Sequence, residues 1–177
     1  MTAVELHILI CLITAHLTAD FLLQTENDVH HKHNFVVLIK HSLIHAALAY
    51  ILVGILPWWQ IPVSILISHA LIDRTKARTS GLGVLVFLLD QFAHILVLVL
   101  LAILLPRLYS GQAAVWNIWF GSFYYRSLLF IAGVILVTRV GGLLIGTAAA
   151  PYLQQLEDAR IQKEANRGKE IDPLARG

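Results

Sequence analysis

Four stretches of the chain, about residues 4 to 24, 35 to 56, 82 to 105 and 122 to 140, approach or reach the roughly 20 apolar residues that span the hydrocarbon core of a bilayer. No other feature constrains the fold so tightly, because a backbone surrounded by lipid must satisfy its own hydrogen bonds, and a helix does so within one segment. A fifth stretch, from Ile61 to Asp73, is short; it is expected to continue as helix through Arg78, with Arg74, Lys76 and Arg78 snorkelling at the membrane surface. The expected fold is therefore all-α: a polytopic bundle of about five transmembrane helices over residues 1–150, then a partly helical cytoplasmic tail over 151–177. With 58% of 177 residues hydrophobic and 14% charged, an ordinary soluble enzyme is excluded. Nucleic-acid binding has no support, since no basic stripe interleaved with aromatics lies outside the apolar stretches. Cys11 stands alone, which removes a disulfide framework or a Cys-rich zinc module and leaves a small buried side chain.

The first stretch carries Glu5 and no basic residue at its amino-terminal side, and it ends without a small-residue cleavage site; it is expected to stay as a helix rather than act as a signal peptide. Orientation follows from the basic residues of short loops, which are retained in the cytoplasm. An external amino terminus and five spans put Lys32, Lys40, Arg74, Lys76, Arg78, Arg139 and the five basic residues of the tail inside, eleven in all, against Arg107 and Arg126 outside. Trp58, Trp59, Trp116 and Trp119 then gather at the external interface with Tyr109, Tyr124 and Tyr125, as in an aromatic belt. The expected arrangement is multi-pass, with the amino terminus outside and the carboxyl terminus inside. After Arg139, Gly142 and Gly146 form a small-xxx-small pair, which suits either close helix packing or contact with a second copy of the chain.

The specific signal lies where ionisable residues interrupt the spans. An Asp at the centre of a membrane helix costs about 2.5 to 3.5 kcal/mol on insertion scales, yet the spans carry three. Each has a His four residues away: His16 with Asp20, His69 with Asp73, and Asp90 with His94, while His41 pairs with His45 at the same spacing. Residues i and i+4 share a helix face, one turn apart. At 1.5 Å per residue, His16 and Asp20 lie roughly 6 to 12 Å from the inner end of the first helix, His41 and His45 roughly 9 to 15 Å into the second, and Asp90 and His94 roughly 12 to 18 Å into the fourth. His69 and Asp73 match if the third helix reaches Arg78. All four pairs thus fall in the cytoplasmic half.

Five His and three Asp at one depth on four helices resemble the ligands of a metal site in a helical bundle. One ion would use three or four of them and two ions nearly all. Mixed nitrogen and carboxylate donors suit zinc above all, then manganese or iron, better than calcium, magnesium or a thiolate metal. The competing explanation is that each pair is a hydrogen-bonding staple between helices. Asp20 and Asp90 are also the candidates for moving protons, and Gln24 and Gln91 for orienting a neighbouring carboxylate or imidazole. His30, His31 and His33 lie in a polar loop and read as solvated, and His7 as interfacial. A haem held by two His would leave the three Asp unexplained.

The stretches AHLTADFLLQT (15–25), KHSLIH (40–45), SHALIDRTKAR (68–78), FLLDQFAH (87–94) and GGLLIG (141–146) resemble an uncharacterised bacterial multi-pass membrane family, domain of unknown function 3307. The resemblance covers about the first 146 residues and implies a polytopic membrane protein, with no activity attached. By looser analogy the ligand set is similar to those of metal-dependent phosphohydrolases and membrane-bound metal-dependent hydrolases. The expected function is a metal-dependent hydrolase acting on a membrane lipid or lipid phosphate, with Lys40, Arg74, Lys76, Arg78 and Arg139 placed to clamp a phosphate at the inner mouth. A divalent-metal or proton carrier is the alternative from another class, and a structural membrane subunit a third. The stretches beyond His45 and His94, AALAYILVGILP and ILVLVLLAILLP, offer almost no ionisable step toward the outside, which favours an enzyme or sensor over a conduit.

Overall fold

The computed structural model describes residues 1–25, 27–28, 31, 33–76, 83–108 and 114–171, the last four by backbone alone. Regular structure among these is entirely helical: α1 (Ala3–Thr18) with a π-helical segment Ala19–Leu23, α2 (Phe35–Val53), α3 (Gln60–Lys76), α4 (Val84–Leu108), a short α5 (Val115–Phe120), α6 (Ser122–Ile135) with a second π-helical segment Leu136–Val140, and α7 (Gly141–Ile171). Four helical runs are long and apolar enough to cross a membrane: Ala3–Leu23, Phe35–Val53, Val84–Leu108 and Ser122–Arg167. Helix α3, with 17 residues, is at the short end of what spans a bilayer. Its expected continuation to Arg78 falls outside the described residues.

Local chemistry sets the helix ends. Thr2 and Glu5 form a reciprocal capping box, with the Glu5 N–H donating to Thr2 Oγ1 at 3.2 Å and the Thr2 N–H to Glu5 Oε2 at 2.8 Å. Asn34 Oδ1 accepts from the Val36 N–H at 2.9 Å and starts α2. Gly54 ends α2 in the left-handed region, at φ 64°, and a Cβ there would lie 2.5 Å from the Trp116 ring, so both conformation and space require glycine.

Helices α1, α2, α3 and α4 pack around one apolar core, with Leu12, Val53, Ile61 and Ala102 among its most buried members. Helix α6 lies on the outside of α1, where Thr14 Oγ1 donates to Leu128 O at 3.3 Å. The ends of α1 and α3 and the starts of α2 and α4 meet at one end of this bundle. At the other end α5 and the start of α6 close over α2: Val115 N–H donates to Gly54 O, Trp116 Nε1 to Ile51 O, and Tyr124 OH of α6 to Leu52 O.

Three further details complete the fold. Trp58, in the α2–α3 connection, is buried in the core, while Trp59 and Trp119 are exposed. Gly142 and Gly146 meet no neighbouring atom within 4 Å where a Cβ would stand, so close packing within the chain is not their role among the described residues. Finally, the helix starting at Ser122 runs without a break past Arg139 and across residue 150, since neither the glycines nor Pro151 interrupts it.

Candidate metal centre

The four pairs point inward at one level, where α1 and α3 end and α2 and α4 begin. His16, His41, His45, His69, Asp73, Asp90 and His94 are buried, and the Asp20 side chain is nearly so. Five imidazoles form one packed group: ring centroids are 3.6 Å apart for His45 and His69, 4.3 Å for His69 and His94, 4.6 Å for His41 and His45, and 5.0 Å for His16 and His94.

Asp20 sits in the π-helical segment that follows α1, where the wider turn changes the register set by the preceding helix. Its carboxylate reaches across to α2: Oδ1 is 3.0 Å from His41 Nε2 and 3.1 Å from His45 Nε2, and Oδ2 is 3.5 Å from His16 Nε2. The Nε2 atoms of His41 and His45 are themselves 3.2 Å apart. Three donor atoms on a triangle with edges of 3.0 to 3.2 Å come close to the roughly 3.3 Å edge of a tetrahedron whose centre is a zinc ion about 2.0 to 2.1 Å from each ligand. His69 brings a fourth donor within 4.8 Å of the other three, and His69, Asp73 and His94 form a second group by the same measure.

His16 and Asp90 lie outside both groups. His16 Nε2 is 3.4 Å from Gln91 Oε1, and the Gln91 amide donates to Asp90 Oδ2 at 3.2 Å, so Gln91 ties α1 to α4. The same Asp90 oxygen takes Lys76 Nζ at 2.6 Å. Gln24 Nε2 lies 3.4 Å from His41 Nε2 on the other side of the cluster.

Hydrogen-bonded staples pair part of this arrangement and leave three atoms over. His69 Nε2, His94 Nε2 and Asp90 Oδ1 are buried with no hydrogen-bond partner among the described residues, and each such group costs about 1 to 3 kcal/mol. A staple would pair these atoms; a coordinated cation would satisfy the imidazole nitrogens directly. His94 Nδ1 donates to Asp90 O at 2.9 Å, which fixes the ring so that its Nε2 lone pair is the free one, the arrangement usual for a metal-binding His. On the side away from the helix ends, a void of about 10 Å³ lies between His16, His45, His69 and His94 and the apolar Leu12, Ala49, Ile65 and Leu98. That is roughly the room one water needs.

Of the five cations named for a phosphate, Lys76 reaches the cluster, and it does so through Asp90. Lys40 is exposed and 3.4 Å from Asp28 Oδ1; hydrogen bonding from Thr25, and then from Lys40, holds the Asp28 carboxyl below its ordinary range. Arg74 and Arg139 are exposed, and Arg78 lies outside the described residues. The spacing of Lys76 three residues past Asp73 places it on the face of the cluster, but gave no signal that Asp90 on α4 would be its partner.

Residues 8–120 match a family described as protein of unknown function, DUF3307. The chain belongs to this family. No curated protein and no solved structure matches it. The matched span contains all eight His and Asp residues and both glutamines, and ends before α6 and α7.

Proposed function

We propose that this DUF3307 protein is an integral membrane enzyme that binds a divalent metal ion, zinc before manganese or iron, in the His/Asp cluster and hydrolyses a lipid or lipid-phosphate ester at the cytoplasmic face of the inner membrane. The observation that carries the metal is the triangle of Asp20 Oδ1, His41 Nε2 and His45 Nε2, with edges matching a tetrahedral site. Bound there, the ion would lower the pKa of a water and supply the nucleophile. Water would add to the phosphorus or carbonyl centre, the ester bond would break, and the alcohol would leave with a proton. Asp20 serves in this reading as ligand, which leaves Asp90 to hold or pass that proton, steadied by Lys76 and Gln91. Exposed Lys40, Arg74 and Arg139 favour an anionic headgroup.

The basic residues support an amino terminus outside and a carboxyl terminus inside. A carrier for metal ions or protons is less supported, because the core beyond the cluster is apolar at Leu12, Ala49, Ile65 and Leu98. Elemental analysis of the purified protein, joined to release of phosphate or fatty acid from phospholipid micelles with and without chelator, tests the reading. Bound metal and chelator-sensitive release are expected. Protein purified without metal, and not taking it up, would overturn it. Reporter fusions at Gln112 and after Ala150 test the orientation: a cytoplasmic signal at Gln112 would reverse it.

A further inference from the structure

The donor atoms form two groups that share His69: Asp20, His41, His45 and His69 in one, and His69, Asp73 and His94 in the other. Asp73 addresses both. Its Oδ2 is 3.7 Å from His41 Nε2 and 3.6 Å from His69 Nε2, while its Oδ1 is 3.9 Å from His94 Nε2. A buried carboxylate with each oxygen turned to different imidazoles is placed as a bridge between two ions, which in two-metal sites lie about 3.5 to 4 Å apart. The second group also holds the buried His94 Nε2, which has no hydrogen-bond partner among the described residues.

Charge limits how many ions the cluster accepts. The carboxylates of Asp20, Asp73 and Asp90, set against the ammonium of Lys76, leave two negative charges, which one divalent ion cancels. A second ion would leave the centre two charges positive in a weakly polarisable interior. Lys76 is the last residue of α3, and a third of its side chain is exposed, so its ammonium can withdraw from Asp90 toward solvent.

We propose that His69, Asp73 and His94 form a second divalent-metal position, bridged to the first by Asp73, and that Lys76 on Asp90 is an internal counter-cation that opposes its filling. This rests on the metal-centre reading above. The test is titration of metal-stripped, full-length protein with Zn²⁺ against a competing chromophoric chelator, with elemental analysis for stoichiometry. Two ions per chain are expected at saturation, the second bound at least tenfold more weakly than the first. Lys76→Met should tighten the second at least tenfold, and Lys76→Gln gives the same reading should the Met variant fail to fold. Asp73→Asn should keep one ion and lose the other. One ion per chain in the wild type and both Lys76 variants would overturn the second position and leave a single-ion centre standing, whereas no ion in any protein would remove the centre itself. Two ions with the weaker affinity unmoved by Lys76→Met would overturn the role given to Lys76.

Discussion

Where α2 stops, Gly54 closes the helix, Trp116 and Tyr124 donate to the carbonyls of Ile51 and Leu52, and Glu5 is held by both Thr2 and Arg107. At the other end of the same four helices, His69 Nε2, His94 Nε2 and Asp90 Oδ1 are buried without hydrogen-bond partners among the described residues, and five imidazoles crowd together. Gln60 Oε1, on the closed side, is also buried without a hydrogen-bond partner among the described residues. The difference separates two uses of burial. Caps and apolar packing at the aromatic end hold the bundle together, whereas the cluster end spends stability on unpaired polar atoms, as sites prepared for a ligand do.

Substitution at the cluster should therefore remove metal and leave the bundle folded, and the largest effect belongs to Asp20. Asp20→Asn takes charge from the oxygen that faces both His41 and His45. Metal affinity should fall by more than about 100-fold, beyond what losing an orienting partner costs. Elemental analysis after dialysis checks this, with circular dichroism to confirm helix content. Unchanged metal content would mean that the triangle is not the binding site and that the two ends do not differ in the way argued.

Next in size is the reverse experiment at the aromatic end. Gly54→Ala places a Cβ at φ 64°, 2.5 Å from the Trp116 ring, and should cost about 1 to 3 kcal/mol through backbone strain and the clash. A lower midpoint of thermal unfolding in detergent, at unaltered metal stoichiometry, is the expected result. Adding Trp116→Ala should recover the part due to the clash and leave the part due to φ. Loss of metal in Gly54→Ala would show that the two ends are coupled and spoil the comparison.

The pattern of residues explains why one end was easier to read than the other. A spacing of four puts His41 and His45 on one face whatever surrounds them, and equal depths allow different helices to meet. The spacing of His16 and Asp20 is the same, but the π-helical segment at Ala19–Leu23 alters where Asp20 aims, and nothing in ADFLL announces that register change. Asp90 carries an identical signature and ends beside Lys76, since spacing within one helix does not say which neighbour on another will claim a carboxylate. Trp58 and Trp59 are adjacent, so an aromatic-belt argument treats them alike; the turn of the α2–α3 connection buries one and exposes the other. For Gly142 and Gly146, small size permits close packing without supplying a partner, and none stands within 4 Å among the described residues.

Gln91→Leu sharpens the boundary of the cluster with a smaller effect. The amide joins Asp90 Oδ2 to His16 Nε2, and its loss should weaken metal binding by roughly 10-fold, the lower end of what orienting partners contribute. Titration of the metal-stripped variant with Zn²⁺ against a chromophoric chelator reads it. A loss as large as that of Asp20→Asn would place His16 and Asp90 among the direct ligands after all.

The smallest effect is expected from Arg107→Ala, and its smallness is informative. Arg107 Nε sits 3.2 Å from Glu5 Oε1, linking the start of α1 to the end of α4 across the aromatic end. The Glu5 side chain is buried, which would make a severed partner costly if the carboxylate had no other. It does have another: the Thr2 N–H donates to Glu5 Oε2 at 2.8 Å within the capping box. The Arg107 side chain is also 65% exposed, so solvent screens the pair and little ordering is gained by holding it. The expected destabilisation is therefore below about 1 kcal/mol, comparable with or less than the roughly 1 kcal/mol expected from Thr2→Ala, which removes the cap hydroxyl. Thermal unfolding of the two single variants and the double variant measures the coupling. A loss above that of Thr2→Ala would mean that Arg107, rather than the capping box, keeps Glu5 satisfied, and the aromatic end would then depend on a charge pair instead of caps and packing.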